Sequence, residues 1–349
     1  MNARLALILS LSLLYSAESS FASTPTTNDA PAGKLAPRPL YRDPVFDAPT
    51  DPVLCFNAEQ QKWLMYYTAR RANLPESEAP GVTWVHGTNI GIAESSDGGA
   101  TWTYRGTAEI DYGKKEHAND YTYWAPEVIW HDGLYHMFLT FVPGIFTDWK
   151  HPREIGHLTS KDGIKWETVG KVDLRSDKVI DACVIQLADG SWRMWYKDER
   201  QPKALSYANS PDLIHWEPKG NAVSDYNGEG PKVIHWKGRY WLIADCWANG
   251  MRVWSSDDCL HWTLQEERFP GSHGDVVISG DRAWWFYFES QKTPASPAAA
   301  PKIKLENAPH SRLAEINVVE LSFVDNKLLA GDPTKPTHIH LLPTREEEK

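Results

Sequence analysis

The sequence predicts an all-β fold, a five-bladed β-propeller, on the strength of two interleaved repeats. The first repeat is an acidic residue, a short apolar strand, a turn and an aromatic strand. It opens at Asp51-Pro52-Val53, Glu127-Val128-Ile129, Asp181-Ala182-Cys183-Val184, Glu229-Gly230-Pro231 and Asp275-Val276-Val277. The matching aromatic strands are Trp63 to Tyr66, Tyr135 to Phe138, Trp192 to Trp195, Tyr240 to Ile243 and Trp284 to Tyr287. The second repeat is a polar turn and a tryptophan: Asp97 with Trp102, Asp162 with Trp166, Asp212 with Trp216 and Asp258 with Trp262. These tryptophans lie 64, 50 and 46 residues apart. Periods of that size, filled with short strands, belong to propellers, because each four-stranded unit buries its faces against its neighbours.

At 349 residues the chain is long enough for one large β domain with a full core. Residues 1–22 read as a signal peptide: Arg4, the apolar run Leu5 to Leu14, and the small-x-small site Ser20-Phe21-Ala22. The apolar run is too short to span a bilayer. A secreted or periplasmic location is therefore expected. Residues 23–40, rich in Thr, Pro and Ala, read as a flexible leader. The propeller is expected over 41–342 as a single catalytic domain, with a charged tail at 343–349. A net charge of −10 argues against nucleic acid or an anionic membrane as partner. The oligomeric state is not encoded legibly.

Blade one is expected to begin at Asp51, with Asp43 as a competing first carboxylate that lacks the strand and turn behind it. Three insertions follow: Arg70 to Thr88, Ile110 to Tyr123 and Pro143 to Arg153. They are expected to build the pocket rim, carrying Arg70, Arg71, Trp84, His86, His117, Asp120, Trp149 and His151. Blades three and four are expected over Val179 to Cys246 and blade five over Cys246 to Phe288. Ala314 to Val324 is then a late strand closing the ring near the first blade. Of the cysteines, Cys55 and Cys183 fall in inner strands and suit buried thiols. Cys246 and Cys259 are the better disulfide candidates.

If each repeat places its acid at the start of an innermost strand, five carboxylates ring one end of the central channel. Gathering like charges costs free energy, so function is the better explanation. The 17 Trp and 14 Tyr also suit a carbohydrate site. Glycoside hydrolysis needs one carboxylic acid to protonate the leaving oxygen and one carboxylate to activate water or attack the sugar. Glu229, between two glycines, suits the acid, Asp51 the base, and Asp181 an orienting and pKa-raising neighbour. Two have a structural reading beside them, a turn cap at Asp51 and a buried pair of Asp181 with Arg193 or Lys197, whereas Glu229 between its glycines is the hardest to explain structurally. Arg71, His86, Trp124, Glu127, Trp149 and Trp247 are expected to contact the sugar, with Trp84 a further platform. Glu127 and Asp275 also read as structural groups that hydrogen-bond channel amides or a cation's waters. Asp97, Asp162, Asp212 and Asp258 read as turn residues, and the closing tryptophans as blade core.

Four pieces, Thr50-Asp51-Pro52-Val53, Tyr123-Trp124-Ala125-Pro126-Glu127-Val128, Val179-Ile180-Asp181-Ala182 and Gly228-Glu229-Gly230-Pro231, resemble glycoside hydrolase family 43 and its propeller relatives. The resemblance runs in order through the whole propeller. It implies an inverting mechanism with Asp51 as base, Asp181 as pKa modulator and Glu229 as acid. It implies arabinofuranosidase- or xylosidase-like chemistry on plant or algal oligosaccharides, and the long rim insertions, which tend to close a groove into a pocket, point to exo action. It also implies a structural calcium or other cation in the channel beside His273, with no cofactor required for the chemistry. Asp181-Ala182 in place of Asp-Pro, and Glu127 in place of Asp, mark a remote subgroup. A related family releases anhydrogalactose from agar oligosaccharides using a histidine, which keeps His86, His117 and His273 in play. A non-catalytic glycan-binding propeller is the remaining alternative.

Overall fold

The computed structural model describes residues 33–114, 120–290 and 312–343. The expected signal peptide, most of the leader, His117, residues 291–311 and residues 344–349 lie outside them. A short strand β1 (Lys34–Leu35) precedes the blades. Blade one is β2 (Pro49–Asn57), β3 (Lys62–Ala69), β4 (Ile90–Ser95) and β5 (Thr103–Thr107). A two-residue strand β6 (Glu109–Ile110) then adds in parallel to the outside of blade two. That blade is β7 (Thr122–His131), β8 (Leu134–Val142), β9 (Glu154–Ser160) and β10 (Lys165–Lys171). Blade three is β11 (Val179–Gln186), β12 (Trp192–Asp198), β13 (Leu205–Ser210) and β14 (Glu217–Val223). Blade four is β15 (Glu229–Trp236), β16 (Arg239–Asp245), β17 (Met251–Ser256) and β18 (Thr263–Phe269). Blade five is β19 (Gly274–Ser279), β20 (Arg282–Ser290), β21 (Ala314–Val324) and β22 (Lys327–Ala330). A last strand, β23 (His338–Ile339), pairs with β1.

The five-bladed architecture is the one expected, with two boundaries moved. Blade four runs on through Phe269, so blade five starts at Gly274 rather than Cys246. The segment Ala314 to Val324 is the third strand of blade five. It meets the segment just ahead of blade one because β22 covers only part of it, and Leu40 and Tyr41 donate to Ile316 on the other part. The end of the leader is thus built into the propeller, with Leu40 buried.

Five apolar clusters fill the five seams between adjacent blades. Each closing tryptophan packs into the seam with the preceding blade rather than inside its own. Trp166 meets Tyr66 at 5.9 Å, Trp216 meets Phe138 at 5.7 Å and Trp262 meets Trp195 at 6.2 Å between ring centroids. The turn aspartates do what their residue type predicts. Asp162, Asp212 and Asp258 each accept two backbone N–H groups of their own hairpin, and Asp97 accepts the Thr101 N–H.

All four cysteines are free and buried. Cys246 follows β16 at the channel mouth, whereas Cys259 lies in the turn beyond the six residues of β17. That strand separates them by about 20 Å, far beyond disulfide reach, which corrects the expected pairing. Among the described residues no helix is long and apolar enough to cross a membrane.

Candidate active site

The innermost strands share one irregularity. Pairing slips between Thr50 and Val53, Trp124 and Glu127, Ile180 and Cys183, and Glu229 and Lys232. At each slip one residue takes a left-handed backbone: Asp51 (φ 53°), Ala125 (φ 37°), Asp181 (φ 58°) and Gly230 (φ 58°). Such a bulge re-aims a side chain and costs roughly 1–2 kcal/mol at a non-glycine residue. Only glycine fits the fourth position, since a Cβ there would stand 2.4 Å from the His273 ring. Neighbouring blades hold the bulges. Thr68 accepts the Ala125 N–H at 2.8 Å, Thr140 the Asp181 N–H at 3.0 Å, and the Asp181 carboxylate the Gly230 N–H at 3.0 Å.

The bulges sort the five expected carboxylates into two layers, and this corrects the single ring. Asp51, Asp181 and Glu229 stand at the channel mouth with His273. Glu127 and Asp275 lie deeper, against Lys232.

At the mouth, Asp51 is buried. It accepts a hydrogen bond from Thr50 Oγ1 at 2.9 Å, with Arg70 at 3.5 Å and His273 Nδ1 at 3.4 Å. Burial alone would raise its pKa, but the Arg70 guanidinium and His273 hold it well below the usual carboxylate range. His273 is correspondingly lifted to about 9: burial opposes its charge, and Asp51 and Asp181 overcome that. Asp181 is pushed up to about 6 by burial and by the charge of Asp51, against the pull of His273. Glu229, half-buried, is raised to about 7 by desolvation and by Asp181, with a bond from the Trp247 side chain pulling the other way. At neutral pH the mouth therefore holds an ionised carboxylate, a cationic imidazole and a carboxyl poised to carry a proton.

The remaining expected contacts divide. Trp149 and Trp247 are 48% and 49% exposed at the rim, Trp149 with one face against His86 and Trp124. Trp124 is buried under it, donating Nε1 to the Val85 carbonyl at 2.6 Å with Arg153 over its ring at 5.3 Å. His86 is fully buried between Trp124, Phe146 and Trp149, gives Nδ1–H to the Val82 carbonyl, and faces His151 Nε2 at 3.1 Å. Desolvation takes its pKa down to about 4, and with no exposed surface and both ring nitrogens engaged it packs the rim from within instead of facing a sugar. Arg71 ties its own insertion by donating to the Thr83 carbonyl at 2.8 Å. Trp84 packs on Ala48, Ala72 and Leu313, with Arg312 over its ring, instead of facing the pocket. Glu127 is buried on Lys232 and has no free face for a sugar. Asp43 is likewise a buried acceptor, for Tyr67 and the Val45 N–H.

Sequence reasoning missed Arg153 and ranked Arg71 over Arg70. Arg153 pairs with Glu199 at 2.6 Å, donates to the Trp149 carbonyl and feels the charges of Asp181 and Glu229. Arg70 continues the pairing of β3 with the Ala48 carbonyl, which brings its side chain to Asp51. The available signal was its position as first residue after the strand.

The donors expected to hold a channel cation do not fit one. His273 is turned onto Asp51, and the carboxylates below it are taken up by Lys232. Among the described residues no group of three His, Cys, Asp or Glu side chains could hold a metal ion.

No protein-family model matches the chain, and no curated protein does. Solved structures do match in fold. A thermostable family-43 glycoside hydrolase superposes with a TM-score of 0.59 at 18% identity, over 88% of this chain and all of that one. The family-43 enzyme from Xanthomonas citri complexed with xylotriose gives 0.62 at 14% identity, over 88% and 97%. An exo-1,5-α-L-arabinanase from a bovine ruminal metagenomic library gives 0.56 at 17% identity, over 84% and 99%. The chain has the five-bladed propeller fold of the family-43 glycoside hydrolases, at a remote level of sequence identity.

Proposed function

We propose that this protein is an exported, inverting glycoside hydrolase that removes terminal sugars from plant or algal oligosaccharides. One feature carries the reading: Asp51, Asp181 and Glu229 gather with His273 at one channel mouth, where Arg70 and His273 against Asp51 pull its pKa down while burial and Asp181 push that of Glu229 up. That split supports Asp51 as the base and Glu229 as the acid. Glu229 gives its proton to the glycosidic oxygen as the bond to the anomeric carbon breaks. Asp51 takes a proton from the water that attacks that carbon from the opposite face, so the product sugar is inverted. Asp181, bonded to the Gly230 N–H, fixes the backbone beside the acid, and its charge keeps the Glu229 proton on at neutral pH. After each turnover, proton exchange with solvent returns Glu229 to its acid form and Asp51 to its base form.

Exposed Trp149 and Trp247 suit sugar faces, and the insertions over 70–88 and 143–153 meet to wall one side of the mouth, which favours exo action. The structurally similar enzymes act on or bind xylose, arabinan and galactose units, so a pentose or galactose glycan is the first class to try.

The deciding experiment is sugar release from aryl glycosides and natural oligosaccharides, with the product anomer followed by NMR. Loss in both Glu229→Gln and Asp51→Asn, with inversion in the wild type, is expected. A cationic His273 beside Asp51 favours a second reading, in which the imidazolium is the acid, as in anhydrogalactose-releasing propellers. In that case Glu229→Gln keeps activity and His273→Asn loses it. Tight glycan binding with no turnover on any substrate would make the protein a binding propeller.

A further inference from the structure

Below the mouth, Lys232 of β15 reaches into the channel and meets carboxylates from two other blades. Its Nζ lies 2.7 Å from Asp275 Oδ1 of β19, and 3.0 and 3.2 Å from the two oxygens of Glu127 of β7. All three groups are nearly shut off from solvent. The carboxylates also reach the two remaining innermost strands. Asp275 Oδ2 accepts the Leu54 N–H of β2 at 2.8 Å, and Glu127 Oε1 accepts the Val184 N–H of β11 at 3.2 Å. Three side chains thus join all five inner strands of the propeller.

The geometry points to Lys232 as the protein's own channel cation: its ammonium does the work of a bound metal ion, and the propeller needs none. An ion bound on the channel axis would have to use the carboxylates that Lys232 already engages, at the price of a second buried cation next to the first. The hub also has a consequence for the mouth. Glu229 stands three residues before Lys232 on β15, and His273 two residues before Asp275, at the head of β19. Leu54 and Val184 each lie three residues beyond a mouth aspartate. Tying these strands at one depth sets the height of the groups above. This inference does not depend on what reaction those groups perform.

The test uses metal content and melting temperature, neither of which requires a substrate. Purified wild type should contain no stoichiometric divalent metal by mass spectrometry and melt at the same temperature in chelator and in calcium. Lys232→Met strips the countercharge from two buried carboxylates, and a drop in Tm on the order of 10 °C is expected. Calcium should restore part of that drop, because the vacated site now offers two carboxylates to a hard cation. The isosteric variant Glu127→Gln/Lys232→Met/Asp275→Asn keeps both N–H acceptors and removes all three charges. It should fold and ignore calcium, and it decides the matter if Lys232→Met alone gives no soluble protein. Three results would overturn the proposal: wild type that melts earlier in chelator, a soluble Lys232→Met protein indifferent to calcium, or a triple variant that folds only with calcium.

Discussion

The channel mouth and the channel interior use the same residue types to opposite ends. Inside, Glu127 and Asp275 face an ammonium at hydrogen-bonding distance and accept backbone N–H groups besides, so their charge is compensated. At the mouth, Asp181 and Glu229 crowd each other, Asp51 and His273 stand 3.4 Å apart, and Glu229 keeps part of its surface open to solvent. A compensated buried charge holds strands together, whereas an under-compensated one keeps a proton in dispute and so is fit for proton transfer. One bulge per strand, repeated around four blades, separates the two layers.

The strongest way to break this comparison is to neutralise one mouth acid at a time. Asp51→Asn and Glu229→Gln should each lower kcat by about 10²- to 10⁴-fold while the protein stays folded, the range associated with a lost acid or base. Circular dichroism melts beside the rate measurements check it. Variants that lose activity and fold together would make the mouth structural, like the interior.

A second test reads stability against pH. Glu229 has a folded-state pKa of about 7, above its ordinary 4.5, so the group supports folding below the lower value. That support is lost as pH rises through about 7. Glu229→Gln should therefore melt at a higher temperature than wild type at pH 8 and at nearly the same temperature at pH 4. The same linkage governs activity: the rate should fall as pH rises through about 7, since the acid form is then depleted. A rate flat across that range would remove Glu229 from the proton-donor role.

Much of the fold was legible in the residues, because the aromatic strands and the polar turns with their tryptophans recur with the chain's period. The outer part of blade five was not, since its third strand follows a long interruption and no closing tryptophan marks it. In the site, depth was the hidden quantity. Treating Glu127 as the counterpart of Asp51 assumed an unbroken two-residue alternation, and a bulge cancels that assumption. Proline was the overlooked marker. Asp51-Pro52, Ala125-Pro126 and Gly230-Pro231 align the left-handed positions, and that alignment drops Glu127 to the level of Lys232. The same alignment would have exposed Lys232 as a charge on an inner strand where Val53 and Cys183 stand in other blades. The burial of His86 and Trp124 depends on two insertions meeting in space, which local sequence does not carry.

Arg70 sharpens the comparison from the base side. Its guanidinium, with His273, keeps Asp51 ionised despite burial. Arg70→Met should move the acidic limb of the kcat/KM profile upward by on the order of one pH unit, because burial then acts with less opposition. Lysine at this position should restore most of the shift, which a purely packing role of Arg70 against Phe288 would not allow.

The smallest effect should come from Trp247, which has a left-handed backbone (φ 50°), an exposed ring and a side-chain bond to Glu229. A bulky residue in that conformation is uncommon, and it is held by the Trp247 N–H bond to Asp245 Oδ1 at 2.9 Å. The indole serves two separable purposes: its face can stack on a sugar, and its N–H steadies the ionised acid. Phenylalanine keeps the first and removes the second. Trp247→Phe should leave KM close to wild type and raise the pKa of Glu229, moving the alkaline limb upward by less than about one pH unit. Trp247→Ala should add a rise in KM to the same shift. If both variants raise KM alike and neither moves the limb, the indole is a platform only, and the Glu229 proton is governed by burial and Asp181.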